Sequence, residues 1–505
     1  MQVIRNITRL AYLAWLLARN DALKVLEPVN LPASLLRPLK FVAKRNNNLS
    51  LGERLANVAV AAGPAFIKLG QAVSTRADLF GPEIATELGK LRDRLPPFPT
   101  EEAKKTISKE LGQPIEELFS TFDSTPIAAA SIAQVHFATT LAGETLAIKI
   151  LRPDIERAFS RDLEALRWTA RLATSLRPKL QRLRLEEAVQ TLTEVTHIEM
   201  DLRLEAAAAT ELHKNFEADP TYNIPKVFWK YTSQRVLATS RASGIPIDKI
   251  KSQDNTICVD KVLRQLSRAM FHQIFRDGFF HGDPHPGNLL VDKGGNIQAV
   301  DFGIMGRLDM PSRLYIAETL LCIFTRQYDR AARLHIKAGY VPPDTSIAAF
   351  SLALRSIAEP LLNMPARDIS IGKLLGHLFQ VTDTFGMETR PDLLLLQKVV
   401  LMAEGTARSL NPSIDIWEIG RPLLENWIEV RTAPDTQLQE ASKVLQELIR
   451  HSPHLLSKFE AAINMTETKK DGETGVRPAL SRGLKLPFWL TAIGVWLLVL
   501  VVFLG

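Results

Sequence analysis

His281-Gly282-Asp283-Pro284-His285-Pro286-Gly287-Asn288, followed by Asp301-Phe302-Gly303, decides how this chain is read. In kinase-type phosphoryl-transfer sites an aspartate accepts the proton of the attacking hydroxyl. An asparagine five positions later holds a metal, and the aspartate of a DFG triplet holds the metal that bridges the phosphates. Asn288 follows Asp283 by five positions, so the offset is met. Leu289-Leu290-Val291, the turn Asp292-Lys293-Gly294-Gly295-Asn296 and apolar Ile297 to Val300 predict a β-hairpin that sets Asn288 beside Asp301. An isolated HGD or DFG triplet is ordinarily a turn; the pair joined by a hairpin points to a phosphoryl-transfer centre. A rival takes His281 and Asp283 as the HxD of a two-histidine, one-carboxylate iron site completed by His285 or His335, but it leaves Asn288 and Asp301 without a task.

Upstream, Ile127-Ala128-Ala129-Ala130-Ser131-Ile132-Ala133-Gln134-Val135-His136 leads through Gly143 to Leu146-Ala147-Ile148-Lys149-Ile150, a candidate nucleotide-covering hairpin with its lysine. Small residues suit a backbone that closes over phosphates, and a lysine on the next strand neutralises them. Alanine stands where glycine is usual, which predicts a stiffer loop. Leu185 to Phe216 reads as one long helix carrying Glu199, Asp201 and Glu205. Asp201 and Glu205, four apart, would share a face, with Glu199 nearly opposite Asp201. Such a trio is ordinarily a solvated acidic face. Here two lysines need partners: Lys149, and Lys68, which lies with Gln71 among Phe66, Ile67, Leu69 and Val73 on an apolar helical pattern. Glu205 is therefore expected to pair Lys149, and Glu199 or Asp201 to meet Lys68 or the metal. Val227 to Trp229 and Arg235 to Ala238 read as strands, and Ser240 to Ser243 as the crossing into a second lobe.

Downstream of Gly303 a helical pattern starts near Pro311, without an APE-type anchor or room for a long activation segment. That segment forms the floor for protein substrates, so a small molecule, water or the chain itself is the expected acceptor. Tyr315 to Asn464 is mostly helical in pattern, with apolar runs such as Leu393 to Met402, and Thr466 to Lys485 is a polar linker. Pro487 to Leu504 (504 − 487 + 1 = 18 residues) holds no charge. At ~1.5 Å per residue it reaches about 27 Å, enough to cross a bilayer. Arg482 and Lys485 before it keep the bulk of the chain cytoplasmic by the positive-inside rule, the inner membrane of a bacterium being the expected setting.

At 505 residues, with 46% hydrophobic content, the chain has material for two or three packed domains rather than a disordered one. Its 62 basic and 55 acidic residues leave a net charge of +7 spread along the sequence, so no nucleic-acid partner is expected. Cys258 and Cys322 lie far apart without paired spacing, so neither a disulfide framework nor a zinc site is suggested. Met1 to Leu26 places Ile4, Ile7, Leu10, Leu13 and Leu17 at helical spacing among Arg5, Arg9 and Arg19, an amphipathic helix that suits a membrane surface and core packing equally.

Lys68-Leu69-Gly70-Gln71, the alanine loop, Glu199-Met200-Asp201, the HGDPHPGN run and the DFG together resemble the UbiB family of atypical kinases over about Leu51 to Leu308. HGD-x-HPGN alone also resembles aminoglycoside and choline kinases, which lack the KxGQ helix and the alanine loop. The resemblance implies a kinase-like fold whose N-terminal helical extension covers the usual peptide site, ATP and magnesium (Mg2+) as cofactors, and a membrane-linked role in ubiquinone biosynthesis. It assigns ATP binding to Ile127, Ala128, Ala129, Ala130, Ser131, Ile132, Ala133, Gln134, Val135 and Lys149, pairing with Lys149 to Glu205, proton acceptance to Asp283, and the metal to Asn288 and Asp301. Lys68 and Gln71 would enter from the extension facing Glu199 and Asp201. Ser240 departs from the family's frequent acidic hinge residue; adenine contacts made by backbone survive that change.

The expected architecture is α+β, a two-lobed protein-kinase-like fold with a mostly helical C-terminal part and a C-terminal transmembrane helix. Its parts are an amphipathic helix and loop (1–48), the KxGQ extension (49–114), an N-lobe (115–240), a C-lobe with helical extension (241–465), a linker (466–486) and an anchor (487–505). The expected activity is that of a kinase or ATPase acting on membrane lipids, ubiquinone precursors or the enzymes that make them. A nucleotide-binding scaffold is the alternative, and direct polyprenylphenol hydroxylation a remote one, since no GxGxxG fingerprint is present.

Overall fold

The computed structural model describes residues 2–25, 41–43, 49–74, 81–93, 96–176, 185–253, 256–362, 390–414 and 416–432, with positions 374, 377, 385 and 386. By packing, the chain divides into Met1–Val430 and Arg431–Gly505. The expected linker and the stretch Pro487–Leu504 lie outside the described residues. No described helix is long and apolar enough to cross a membrane.

The first lobe is a five-stranded sheet of β1 (Phe119–Phe122), β2 (Ala128–Ala129), β3 (Ala133–Thr140), β4 (Thr145–Leu151) and β6 (Val236–Ser240), ordered β1-β3-β4-β6 with β2 on β3. All its pairings are antiparallel. On β4 the two-residue period buries Leu146, Ile148 and Ile150 against helix α5 (Thr100–Leu111) and turns Lys149 to the opposite face. The strand expected over Val227–Trp229 is reduced to one bridge, Val227 to Thr239, because the chain turns into a short 3-10 helix at Trp229–Tyr231. There the Thr232 hydroxyl takes the Phe228 carbonyl at 3.0 Å.

Ahead of this sheet lie α1 (Gln2–Arg19), α2 (Leu51–Ala62), α3 (Pro64–Ser74) and α4 (Pro82–Gly89). The capping box of Ser50 and Glu53 starts α2, and Gly63 separates it from α3. Leu13, Leu16 and Leu17 of α1 pack on Leu51, Leu55 and Val58 of α2. Arg9 reaches the fully buried Asp162 at 2.9 Å. One face of the N-terminal helix is thus a packing face, while Ile7, Tyr12 and Trp15 remain exposed.

Behind the sheet run α6 (Ile155–Leu176), α7 (Leu185–Glu199) and α8 (Leu202–Asn215). The single helix expected from Leu185 to Phe216 is therefore two. The break falls at Met200-Asp201, where Asp201 is extended (φ −114°, ψ 93°) and its side chain accepts from Arg203 N.

In the second lobe α9 (Val259–Phe271) runs through a π-helical turn, His272–Asp277, into β8 (Phe279–His281). β5 (Tyr222–Asn223), β7 (Ile245–Pro246), β9 (Leu289–Val291) and β10 (Ile297–Ala299) form a sheet ordered β5-β10-β9-β7, and β11 (Met305–Arg307) pairs antiparallel with β8. Helices α10 (Met310–Phe324), α11 (Tyr328–Lys337), α12 (Ile347–Leu362), α13 (Pro391–Leu410) and α14 (Ile416–Thr432) surround a second core containing Phe280, Tyr315, Tyr328, Phe350, Leu396 and Leu424. The fold is kinase-like, mixed α/β and mostly helical. From Gly303 the chain passes through β11 directly to Asp309, the N-cap of α10, with no long segment between.

Candidate active site

The β9–β10 hairpin does what its sequence predicts. Val300 N donates to Asn288 O at 2.9 Å, so the residues flanking the hairpin, Asn288 and Asp301, lie side by side. Asp292 closes the turn, accepting from Gly294 N and Asn296 N at 2.8 and 2.9 Å. Asp301 has φ +65°, a left-handed backbone that aspartate tolerates better than most side chains. From there its carboxylate meets the ammonium of Lys149 at 2.8 Å.

Lys149 also donates to both oxygens of Glu205, at 2.8 and 2.9 Å. Glu205 sits in the first turn of α8, which Asp201 caps. Burial alone would lower the Lys149 pKa, but the Asp301 and Glu205 carboxylates outweigh it and raise it. Lys149 holds Asp301 well below the usual carboxylate range. Burial pushes Glu205 up, with Asp301 adding to the push and Lys149 opposing it. Asp301 is still half exposed to the cleft between the lobes.

The HGD loop is pinned from beneath. His281 Nε2 lies 3.2 Å from the Val300 carbonyl, and Nδ1 accepts from Asp283 N at 3.0 Å, which places the ring proton on Nε2. Burial lowers the His281 pKa and keeps the ring neutral. Gly282 N donates to Ile304 O at 2.8 Å, and a Cβ on Gly282 would lie 2.7 Å from Ile304 Cγ2 and 3.0 Å from that carbonyl. Asn288 Nδ2 donates to the Asp283 carbonyl at 3.1 Å.

The iron reading is not supported by this geometry. Both His281 nitrogens are engaged, His285 Nδ1 accepts from Gly287 N, and His335 is buried in the second core with Nδ1 on the Ala331 carbonyl. No group of three or more His, Cys, Asp or Glu among the described residues is placed to hold a metal.

Lys68 of α3 forms an ion pair with Glu199 at the end of α7, one of the two partners expected. Asp201 does not join them. Its carboxylate is bound by the Arg203 guanidinium at 2.9 and 2.7 Å, because capping α8 turns it toward that helix's own first residues. Gln71, one turn beyond Lys68, is half-buried, with no side-chain hydrogen bond among the described residues. Ala65, Phe66 and Leu69 of the same helix pack into the core that holds Phe302 of the DFG.

In the alanine loop Ala130 N bonds Ala133 O at 2.8 Å, and Arg152 ties the Ala130 carbonyl to that of Pro96. Ile127 and Ala128 are exposed, Ala129, Ala130, Ile132 and Val135 intermediate, and Ser131, Ala133 and Gln134 buried. The Gln134 side chain is spent elsewhere: its amide clamps the backbone of Phe98, at 3.0 and 3.3 Å, so it does not face a nucleotide. At the lobe crossing, Ser240 Oγ accepts from Lys226 N.

One partner was not anticipated. Lys398 of α13 reaches Asp283 Oδ1 at 3.0 Å. The available signal was a lone lysine inside the apolar run Leu393 to Met402, the pattern that singled out Lys68.

Two family descriptions match this chain: the ABC1 atypical kinase-like domain over residues 90–335 and the UbiB helical domain over residues 354–415. A protein of Marinobacter nauticus named probable protein kinase UbiB is 40% identical over 412 residues, 81% of this chain and 75% of its own length. The chain belongs to the UbiB family of atypical kinase-like proteins. The probable protein kinase UbiB of Pseudomonas paraeruginosa, another bacterial relative in this UbiB family, is 38% identical over 83% of this chain and 79% of its own. Among solved structures, Rv3197 of Mycobacterium tuberculosis, determined as a complex with erythromycin, shares the fold at TM-score 0.51 and 25% identity, over 72% of this chain and 92% of its own. Lys149, Glu205 and Asp301 all fall within the stretch matched by the ABC1 atypical kinase-like domain.

Proposed function

We propose that this chain is a membrane-anchored atypical kinase or ATPase that supports ubiquinone biosynthesis, using ATP to handle lipid-like precursors or the enzymes that act on them. The observation that carries the reading is Lys149 held between Glu205 and Asp301, with Asn288 brought beside Asp301.

The residues fit ATP and magnesium. Asn288 spends its amide N–H on the Asp283 carbonyl, leaving its oxygen as the donor a cation takes, and Asp301 presents a half-exposed carboxylate next to it. Magnesium is ordinarily held by one or two such protein oxygens together with phosphates and water. When bound, the metal would neutralise the charge that develops on the phosphates during transfer. The chain does the rest: Lys149 neutralises phosphate charge, the backbone of Ala128 to Ser131 covers it, and Asp283 holds the acceptor's proton. The short path from Gly303 to α10 disfavours a protein acceptor, and the charge-free Pro487–Leu504 supports action at a bilayer.

A second reading, a nucleotide-binding scaffold without turnover, is favoured by the ion pairs on both working carboxylates, Asp301 with Lys149 and Asp283 with Lys398. An Asp301→Asn chain expressed in a ubiquinone-deficient strain separates the two. Failure to restore quinone synthesis is expected; restoration by a variant that no longer hydrolyses ATP selects the scaffold.

A further inference from the structure

Lys398 projects from α13, inside the helical domain, onto the carboxylate five positions before the metal-ligand candidate Asn288. Its helix is fixed on both sides. Leu396, Val399 and Val400 lie in the second core, while Ala407 and Leu410 lie in the core shared with Phe302. The ammonium is therefore presented by a packed element, with one quarter of the side chain exposed at the site.

The charge balance says what it is for. Glu205, Asp283 and Asp301 face a site that must accept a polyanion, and Lys149 is already divided between two of them. The loop from Asp283 to Asn288 supplies only Pro284, His285, Pro286 and Gly287, so it carries no lysine or arginine. In phosphoryl transfer the proton acceptor stands beside the acceptor oxygen, in line with the phosphoryl group being moved. A cation 3.0 Å from that carboxylate would stand at the same end of a bound nucleotide.

We infer that Lys398 is a phosphate-contacting residue: held on Asp283, its ammonium takes the terminal phosphate of a bound nucleoside triphosphate. The inference rests on the kinase-like reading above and adds to it the residue by which the helical domain completes the site. A lysine that only neutralised Asp283 would have a different signature.

The test is titration of the full-length protein with magnesium ATP and magnesium ADP, for wild type, Lys398→Met, Lys398→Arg and the double variant Lys398→Met/Asp283→Asn, each checked by thermal unfolding. Loss of one charge-assisted hydrogen bond to the terminal phosphate weakens ATP about 10- to 100-fold in Lys398→Met, with ADP unchanged. Lys398→Arg recovers part of the loss. The double variant, which carries no lone charge to disturb folding, still lacks the preference for ATP. If it regains that preference, or if ATP and ADP weaken together, Lys398 only balances Asp283 and the inference is overturned. An unchanged ATP preference in Lys398→Met overturns it equally. A wild type that binds neither nucleotide overturns the kinase-like reading itself, a result distinct from either.

Discussion

Lys149 is one positive charge serving two carboxylates, and that asymmetry sets what substitutions do. Lys149→Met leaves buried Glu205 and half-exposed Asp301 without their shared cation and is expected to cost about 1–3 kcal/mol, whereas Glu205→Gln leaves the Lys149–Asp301 pair intact and costs less. Urea midpoints of the two variants check this; equal losses would mean that the carboxylates do not strain against each other. The working residues were legible because their spacing is local or stereotyped: Asp283 to Asn288 within one loop, Asn288 to Asp301 across one hairpin, Lys149 on the inward period of a strand. Lys398 stands out in the sequence only as a lone lysine in an apolar run; its partner Asp283 lies 115 positions away, and no local period reports such a pair.

At the scale of elements, the break between α7 and α8 is where the sequence misled. Apolar positions run through Leu185 to Phe216 at helical spacing, and that pattern hid an aspartate whose side chain caps a new helix. Asp201 therefore acts through the backbone of α8, whose first turn bears Glu205. Asp201→Ala is expected to cost about 1 kcal/mol and to lower nucleotide turnover by loosening that turn, while Asp201→Asn, which caps equally well, retains both. Circular dichroism melts alongside ATPase rates check this; an asparagine variant as impaired as the alanine one would show that the carboxylate itself works at the site. The β9–β10 hairpin was readable from period and turn chemistry. The turn at Phe228, whose carbonyl accepts from both Tyr231 N and the Thr232 hydroxyl, has no such signal.

In the whole molecule, the extension and the helical domain each pair a lysine with a carboxylate of the kinase-like part: Lys68 with Glu199 and Lys398 with Asp283. The kinase-like lobes are thus bracketed by segments outside the usual kinase outline, and the route to a long activation segment is closed by β11. On the proposed reading the site turns ATP over, with a small or lipid-like acceptor. The decisive measurement is ATP hydrolysis by the full-length protein with magnesium, with and without anionic liposomes and a phenolic quinone precursor, beside Asp301→Asn. Hydrolysis is expected to rise with lipid or phenol and to fall by at least about 100-fold in the variant. Nucleotide binding without turnover under every condition, or equal hydrolysis by wild type and variant, would contradict that reading.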